Sequence, residues 1–274
     1  MYGGIYGDLV GSIYEFSENR KHNKELMIRA SKEEELLKPN SFYSDDTILI
    51  IAIADAILHG DDFDNYLRKY IRDNSVILDK PNYFKYMFSP NTIKWGNSDE
   101  QGCSYGNGAI MRVSPVAAMG KSYIKVTHDT IEATTPSHNH ESAIKAALCV
   151  SNMIFFAKNG SDKATIKNMV DTYFKYDYNF DLDTLRDNMT FNYSCDDTMP
   201  LVLYCIFNSD SFDSAIRLCL SLGGDTDTNC CIVGSIAEYM YGMDEELKVS
   251  VNNYLPDEYK LVLRKAQSKC VVNE

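Results

Sequence analysis

Two short acidic segments carry the side chains of this sequence best suited to chemistry: Ser44-Asp45-Asp46-Thr47 and Gly223-Gly224-Asp225-Thr226-Asp227-Thr228. Four carboxylates and the hydroxyls of Ser44, Thr47, Thr226 and Thr228 offer only hard oxygen ligands, a set that suits magnesium, calcium or manganese rather than zinc or copper. Ser, Thr and Asp at the start of a helix are also ordinary N-caps, favoured there by unpaired amides and the helix dipole. One cap, however, needs only one side chain. Each segment brings two carboxylates to the mouth of an apolar stretch, and carboxylates so placed repel one another unless cations sit between them. The two segments therefore read as halves of one metal site.

Other stretches bear on the same chemistry. Ser104-Tyr105-Gly106-Asn107-Gly108 opens into Ala-Ile-Met-Arg-Val, and such a turn either lets backbone N–H groups approach a phosphate or is a plain Asn-Gly turn. Glu15, set among Ile13, Tyr14 and Phe16, either reaches solvent, as most Glu residues do, or transfers a proton if buried near metals. His138, in Ser137-His138-Asn139-His140, reads equally as a core or capping histidine and as a ligand contact. Tyr193-Ser194-Cys195-Asp196-Asp197-Thr198 echoes the first acidic segment. Asp196 and Asp197 are natural first-turn residues of the helix carrying Leu201, Leu203 and Tyr204, so this copy is assigned no metal.

The elements that must position these groups are helical. The run from Asp46 through Leu58 is apolar nearly all round, as expected of a helix buried on most sides. Phe63, Tyr66, Leu67, Tyr70 and Ile71 mark one buried helix face; Ile166, Met169, Val170, Tyr173 and Phe174 mark another; Phe212, Ala215, Ile216, Cys219 and Leu220 mark a third. Strand-like alternation is scarce, which predicts an all-α fold. No Pro-rich or Gly/Ser-rich linker and no fixed-period repeat divides the chain, so residues 1–274 are expected to form one domain. Residues 17–40 are the most charged stretch, either a solvated helix and loop or a flap over a site.

With 274 residues, 45 % of them apolar, the chain can fill a sizeable core. A formal charge of −12 argues against nucleic-acid backbones and anionic lipid surfaces as partners found by electrostatics. Eight cysteines are present without a C-x-x-C, and several fall in apolar helical stretches, so buried free thiols are expected and a zinc site is not. The opening Met-Tyr-Gly-Gly-Ile-Tyr-Gly-Asp-Leu-Val lacks a basic region and carries Asp8, unlike a signal peptide. The longest apolar run is interrupted by Asp55 and too short to span a bilayer. A soluble, cytoplasmic protein is expected.

Five segments together resemble the ADP-ribosylglycohydrolase family, in its order and from end to end of the chain: Gly4 through Glu15, Ser44 through Thr47, Ser104 through Pro115, Ser137 through His140, and Gly223 through Thr228. The resemblance implies an all-α orthogonal helix bundle with a binuclear magnesium centre, sometimes manganese, in a central cleft. It implies Ser44, Asp45, Asp46, Asp225, Asp227 and Thr228 as ligands, with Asp227 bridging the ions. It further implies that the distal ribose of ADP-ribose binds at the metals and the diphosphate at Ser104, Tyr105, Gly106, Asn107 and Gly108. Tyr105 is then near the adenosine, His138 lines the cleft, Glu15 is the acid/base and residues 17–40 are flap or flap neighbour. Ser44 and Ser137 stand where Thr is usual, and Asn229-Cys230-Cys231 where small apolar residues are usual, which leaves ion preference open. The implied activity is hydrolysis of the bond joining ADP-ribose to its acceptor, by a monomer acting on ADP-ribosylated protein or another ADP-ribosylated molecule. The alternative is a non-catalytic ADP-ribose-binding or structural member of the same family.

Overall fold

The computed structural model describes residues 1–15, 23–60, 62–75 and 87–271. Among them the chain is all-α. Its first helices are α1 (Tyr2–Glu15), α2 (Lys24–Ala30), α3 (Asp45–Leu58), α4 (Phe63–Asn74), α5 (Pro90–Gly96), α6 (Ser114–Met119), α7 (Tyr123–Thr134) and α8 (Glu141–Lys158). They are followed by α9 (Lys163–Met169), α10 (Leu182–Asp187), α11 (Cys195–Phe207), α12 (Phe212–Leu222), α13 (Thr226–Tyr241), α14 (Glu245–Asn252) and α15 (Asp257–Val271). Within these residues β pairing is confined to two isolated antiparallel bridges, Cys103 with His138 and Gly106 with Ser194.

Two packing features place the acidic segments together. Helix α3 starts at the Ser44 cap, whose hydroxyl accepts the Asp46 N–H, and then buries every residue from Asp46 through Ala54. A helix without a polar face must be surrounded by others, and α4, α6, α15, α1 and α13 pack around it. Helix α1 instead meets α13 backbone to backbone. Gly3, Gly7 and Gly11 recur every fourth residue and so share one face. A Cβ at Gly7 would overlap the Cys230 carbonyl, and one at Gly11 the Thr226 carbonyl. Only hydrogen at these positions lets the two helices approach closely enough to bring Asp8 and Glu15 against the N-terminal turn of α13. The chain enters that turn through Gly223 and Gly224, both at φ near +80° (80 and 79), where a side chain would be strained.

One apolar cluster draws on helices from α1 to α15. The expected faces of α4 and α12 are present: Phe63, Leu67, Tyr70 and Ile71 are buried, as are Phe212, Ala215, Ile216, Cys219 and Leu220. The face read over 166–174 differs most at Tyr173, and Met169 is half-buried. Helix α9 widens into a π-helical turn, Val170–Phe174, in which the Lys175 N–H reaches the Val170 carbonyl. The extra residue in that turn rotates Tyr173 outward, to 77 % exposure, while Ile166, Val170 and Phe174 stay buried.

Of the charged stretch, residues 17–22 lie outside the described residues. Residues 23–40 are docked: Arg217 donates to the carbonyls of Ser31, Glu33 and Glu34, Tyr254 donates to that of Lys38, and Met27, Ala30 and Leu36 are buried. The cysteines are free thiols, buried at 149, 195, 205, 219, 230 and 231. No helix among the described residues is long and apolar enough to cross a membrane.

Candidate metal centre

At the head of α3, Asp46 is held by two hydroxyls. Ser44 Oγ donates to Asp46 Oδ2 at 3.0 Å, and Thr228 Oγ1, from α13, donates to the same atom at 3.2 Å. Its other oxygen, Oδ1, is buried without a hydrogen-bond partner. Behind it, Asp8 of α1 accepts the N–H groups of Ser44 (2.9 Å) and Thr47 (3.1 Å) and the Thr47 hydroxyl. Asp8 thereby caps α3 from another helix. Thr47 is engaged with Asp8, and the Thr226 hydroxyl donates to the Gly11 carbonyl at 2.9 Å. Those two hydroxyls tie helices together.

The carboxylates form two overlapping triads. Oxygens of Asp8, Asp46 and Asp227 lie within 4.8 Å of one another, and so do oxygens of Glu15, Asp225 and Asp227. Asp227 belongs to both. Asp8, Asp46, Asp225 and Asp227 are all 5 % exposed or less. Asp45 is half-buried beside them and completes neither triad. Among the described residues no Lys, Arg or His is ion-paired with any of these six carboxylates.

Such crowding shows in the proton affinities. Burial first, and repulsion from Asp227 second, push the Asp8 carboxyl up to about 7 and that of Glu15 up to about 12. The same two causes, in the same order, hold Asp45, Asp46 and Asp225 well above the usual carboxylate range. Glu15 Oε2, like Asp46 Oδ1, is buried without a partner. An all-oxygen donor set, two orphaned carboxylate oxygens and uncompensated negative charge fit hard divalent cations.

The glycine-rich turn adjoins the second triad, in a manner its sequence did not suggest. Asn107 turns inward, and its Nδ2 donates to Asp225 Oδ2 at 2.7 Å. Its backbone N–H is taken by the Tyr193 carbonyl (2.7 Å), while the Cys195 N–H bonds the Tyr105 carbonyl (2.9 Å). The echo segment thus pairs with the turn. The N–H groups of Tyr105 and Gly108 carry no bond to another described residue. His138 lies beneath: a Cβ on Gly108 would come within 3.3 Å of His138 Nε2. Arg112 donates to Ser137 Oγ (2.7 Å), which is also hydrogen-bonded to His138 Nδ1 (2.7 Å). His138 Nε2 faces the turn, and burial followed by the Arg112 charge keeps the imidazole neutral. The Tyr105 ring is 47 % exposed at the rim, edge-on to His140 and tilted against Tyr193.

Asp196 and Asp197 are exposed in the first turn of α11, where the Ser194 hydroxyl caps Asp197, as expected of an ordinary helix start. Sequence reading passed over Asp8, seen only as an interruption of an apolar opening. Its signal is a carboxylate one residue after Gly7, in a helix whose glycines demand a close neighbour. It also passed over Asn192, buried behind Asp225, for which no local pattern gives notice.

The family model described as ADP-ribosylglycohydrolase matches residues 1–262. The chain is 24 % identical over 268 residues to ADP-ribosylarginine hydrolase Tri1 of Pseudomonas putida (strain GB-1), covering 89 % of this chain and 70 % of that protein. It is 26 % identical over 141 residues to ADP-ribosyl-[dinitrogen reductase] glycohydrolase of Rhodospirillum rubrum, covering 51 % of this chain and 47 % of that one. A solved structure described as an ADP-ribosylglycohydrolase-related protein complex shares the fold with a TM-score of 0.59 at 17 % identity, over 98 % of this chain and 93 % of that chain.

Proposed function

Because the chain belongs to the ADP-ribosylglycohydrolase family, we propose that it is a hydrolase that releases ADP-ribose from a modified acceptor and depends on two magnesium or manganese ions. The observation that carries this reading is the pair of carboxylate triads sharing Asp227, with Asp46 Oδ1 and Glu15 Oε2 left over. Ser44, Asp45, Asp46, Asp225, Asp227 and Thr228 are the proposed ligands, and membership of Asp227 in both triads supports its role as the bridge. When bound, the ions would polarise the ribose hydroxyls and lower the proton affinity of a water molecule.

The protein's own groups do the rest. Glu15 ends α1, with Oε2 as its free oxygen. Neutralising the surrounding charge brings its carboxyl down toward the range in which an acid/base works. It gives a proton to the acceptor heteroatom as the bond to the anomeric carbon breaks, and regains one from the water whose oxygen replaces the acceptor. The free N–H groups of Tyr105 and Gly108 offer two neutral donors to a diphosphate, with His138 as a third in its Nε2–H tautomer, and Ser104 Oγ holds the turn through the Gly106 N–H at 3.1 Å. The Tyr105 ring offers a face for adenine. Asn107 serves the turn indirectly, through Asp225.

An arginine-linked substrate is the first to test, since the Pseudomonas putida relative is named for that linkage. Release of free ADP-ribose, measured with and without added magnesium, decides between hydrolysis and mere binding.

A further inference from the structure

Asp225 is gripped at both ends by a network of uncharged groups that reaches back to the echo segment. Its carboxylate takes Asn107 Nδ2, and its backbone N–H donates to Asn192 Oδ1 at 3.4 Å. The second proton of Asn107 Nδ2 is shared between Thr198 Oγ1 (3.4 Å) and the Asn192 carbonyl (3.5 Å). Asn192 Nδ2 donates to Thr198 Oγ1 (2.9 Å) and to Asn229 Oδ1 (3.2 Å), and Asn229 Nδ2 returns a bond to Asn192 Oδ1 (3.3 Å). Asn107, Asn192, Thr198, Asp225 and Asn229 are all 8 % exposed or less.

The directions of these bonds matter. Asn107 must present its NH2, not its oxygen, to Asp225, or the carboxylate meets another acceptor. On the other side the Asn192 carbonyl, which can only accept, fixes that choice. Asn192 in turn is oriented because its NH2 faces Thr198 and its oxygen faces the Asp225 N–H. A buried network satisfied in one arrangement only is rigid, and here it sets the carboxylate plane of Asp225. Groups behind metal-binding residues act in this way, orienting a ligand they do not replace.

We infer that Asn192 and Thr198 are positioning residues for cation binding, acting through Asn107 and the backbone of Asp225. Thr198 ends the Asp-Asp-Thr echo, so that segment contributes to the centre at one remove while its own carboxylates face solvent. The inference rests on the proposed metal-dependent reading, and the two are separable by experiment.

The test is the affinity for manganese alone, by calorimetry on the full-length protein, in wild type, Thr198→Val, Thr198→Ser and Asn192→Ala. Valine has the shape of threonine without the hydroxyl. Thr198→Val and Asn192→Ala should each weaken binding about 10-fold, as is usual for loss of a group that orients a ligand. Thr198→Ser keeps the hydroxyl and should bind within about twofold of wild type. Thermal unfolding of the chelated proteins separates a general loss of stability from a loss of affinity. Should Thr198→Val fail to fold, Asn192→Ala carries the test, since its smaller side chain leaves room for water to satisfy the groups it exposes. Wild-type affinity in the variants, or equal losses in Val and Ser, overturns the inference. No manganese binding by the wild type overturns the metal-dependent reading itself, and this inference with it.

Discussion

Replacing Asp227 by Asn should stabilise the metal-free protein while removing its response to metal. The carboxylate of Asp227 shares a 4.8 Å neighbourhood with Asp8 and Asp46 on one side and Glu15 and Asp225 on the other. Two full charges at that separation, in surroundings of effective dielectric about 20, repel by about 3.5 kcal/mol. Partial protonation of the neighbours already relieves some of this, so a net gain of about 2 kcal/mol is expected at neutral pH. For a chain of this size that is a rise in Tm of about 4–8 °C. Asn preserves the oxygen that accepts the Thr228 N–H at 2.9 Å, so the geometry of the turn survives.

The dependence on pH supplies a second signature. In the folded, metal-free protein Asp8 takes up its proton near pH 7, against an ordinary value of 3.8. The folded state therefore binds more protons than the unfolded one between those values, and stability rises as pH falls through about 7 toward 3.8. Glu15, Asp45, Asp46 and Asp225 shift in the same direction. His138, held neutral in the fold, acts oppositely below its ordinary 6.5, one group against five. The Asn variant should flatten this profile, because after burial Asp227 is the leading charge behind each of the five carboxyl shifts. Differential scanning fluorimetry of chelated and magnesium-saturated proteins across neutral to mildly acidic pH reads all of this. A lower Tm for the chelated variant with an unchanged pH profile would refute the reasoning.

Three further outcomes are expected. Glu15→Gln should lower turnover by roughly 10²–10⁴-fold while manganese binding, followed by calorimetry, stays nearly intact; loss of metal instead would make Glu15 a ligand. Asp196→Asn, at an exposed helix start, should leave manganese affinity unchanged where Asp227→Asn loses at least about 10-fold; equal losses would mean that the echo segment holds metal. Gly11→Ala puts a Cβ into the Thr226 carbonyl, backbone that cannot rotate away, so unfolding should be easier by about 1–3 kcal/mol and metal binding weaker as α1 is pushed off α13; wild-type stability in denaturant would disprove that packing.

The helical fold was legible because apolar periodicity is a local property, and the faces of α4 and α12 follow it, with Tyr66 alone half-buried. Tyr173 escaped because a π-helical turn changes the period without changing the composition. The acidic segments were legible as a pair because two carboxylates at one helix mouth exceed what a cap requires. Which oxygens remain free was not. The bond between Thr47 and Asp8 depends on α1 lying against α3, and that between Thr226 and Gly11 on α1 lying against α13, a contact between residues more than 200 positions apart. Asn107 illustrates the same limit. Its place in a glycine-rich turn suggested a phosphate contact, but its side chain answers to Asp225, from a distant part of the chain. Long-range packing selects among the partners that local sequence makes available.

Metal-dependent release of ADP-ribose is tested by measuring free ADP-ribose liberated from arginine-linked, serine-linked and nucleic-acid-linked substrates by protein first stripped of metal. Release is expected from at least one linkage when magnesium or manganese is restored, none in chelator, and none with Asp227→Asn. Full release by the stripped protein would contradict the metal requirement, and metal binding without release from any linkage would contradict hydrolysis.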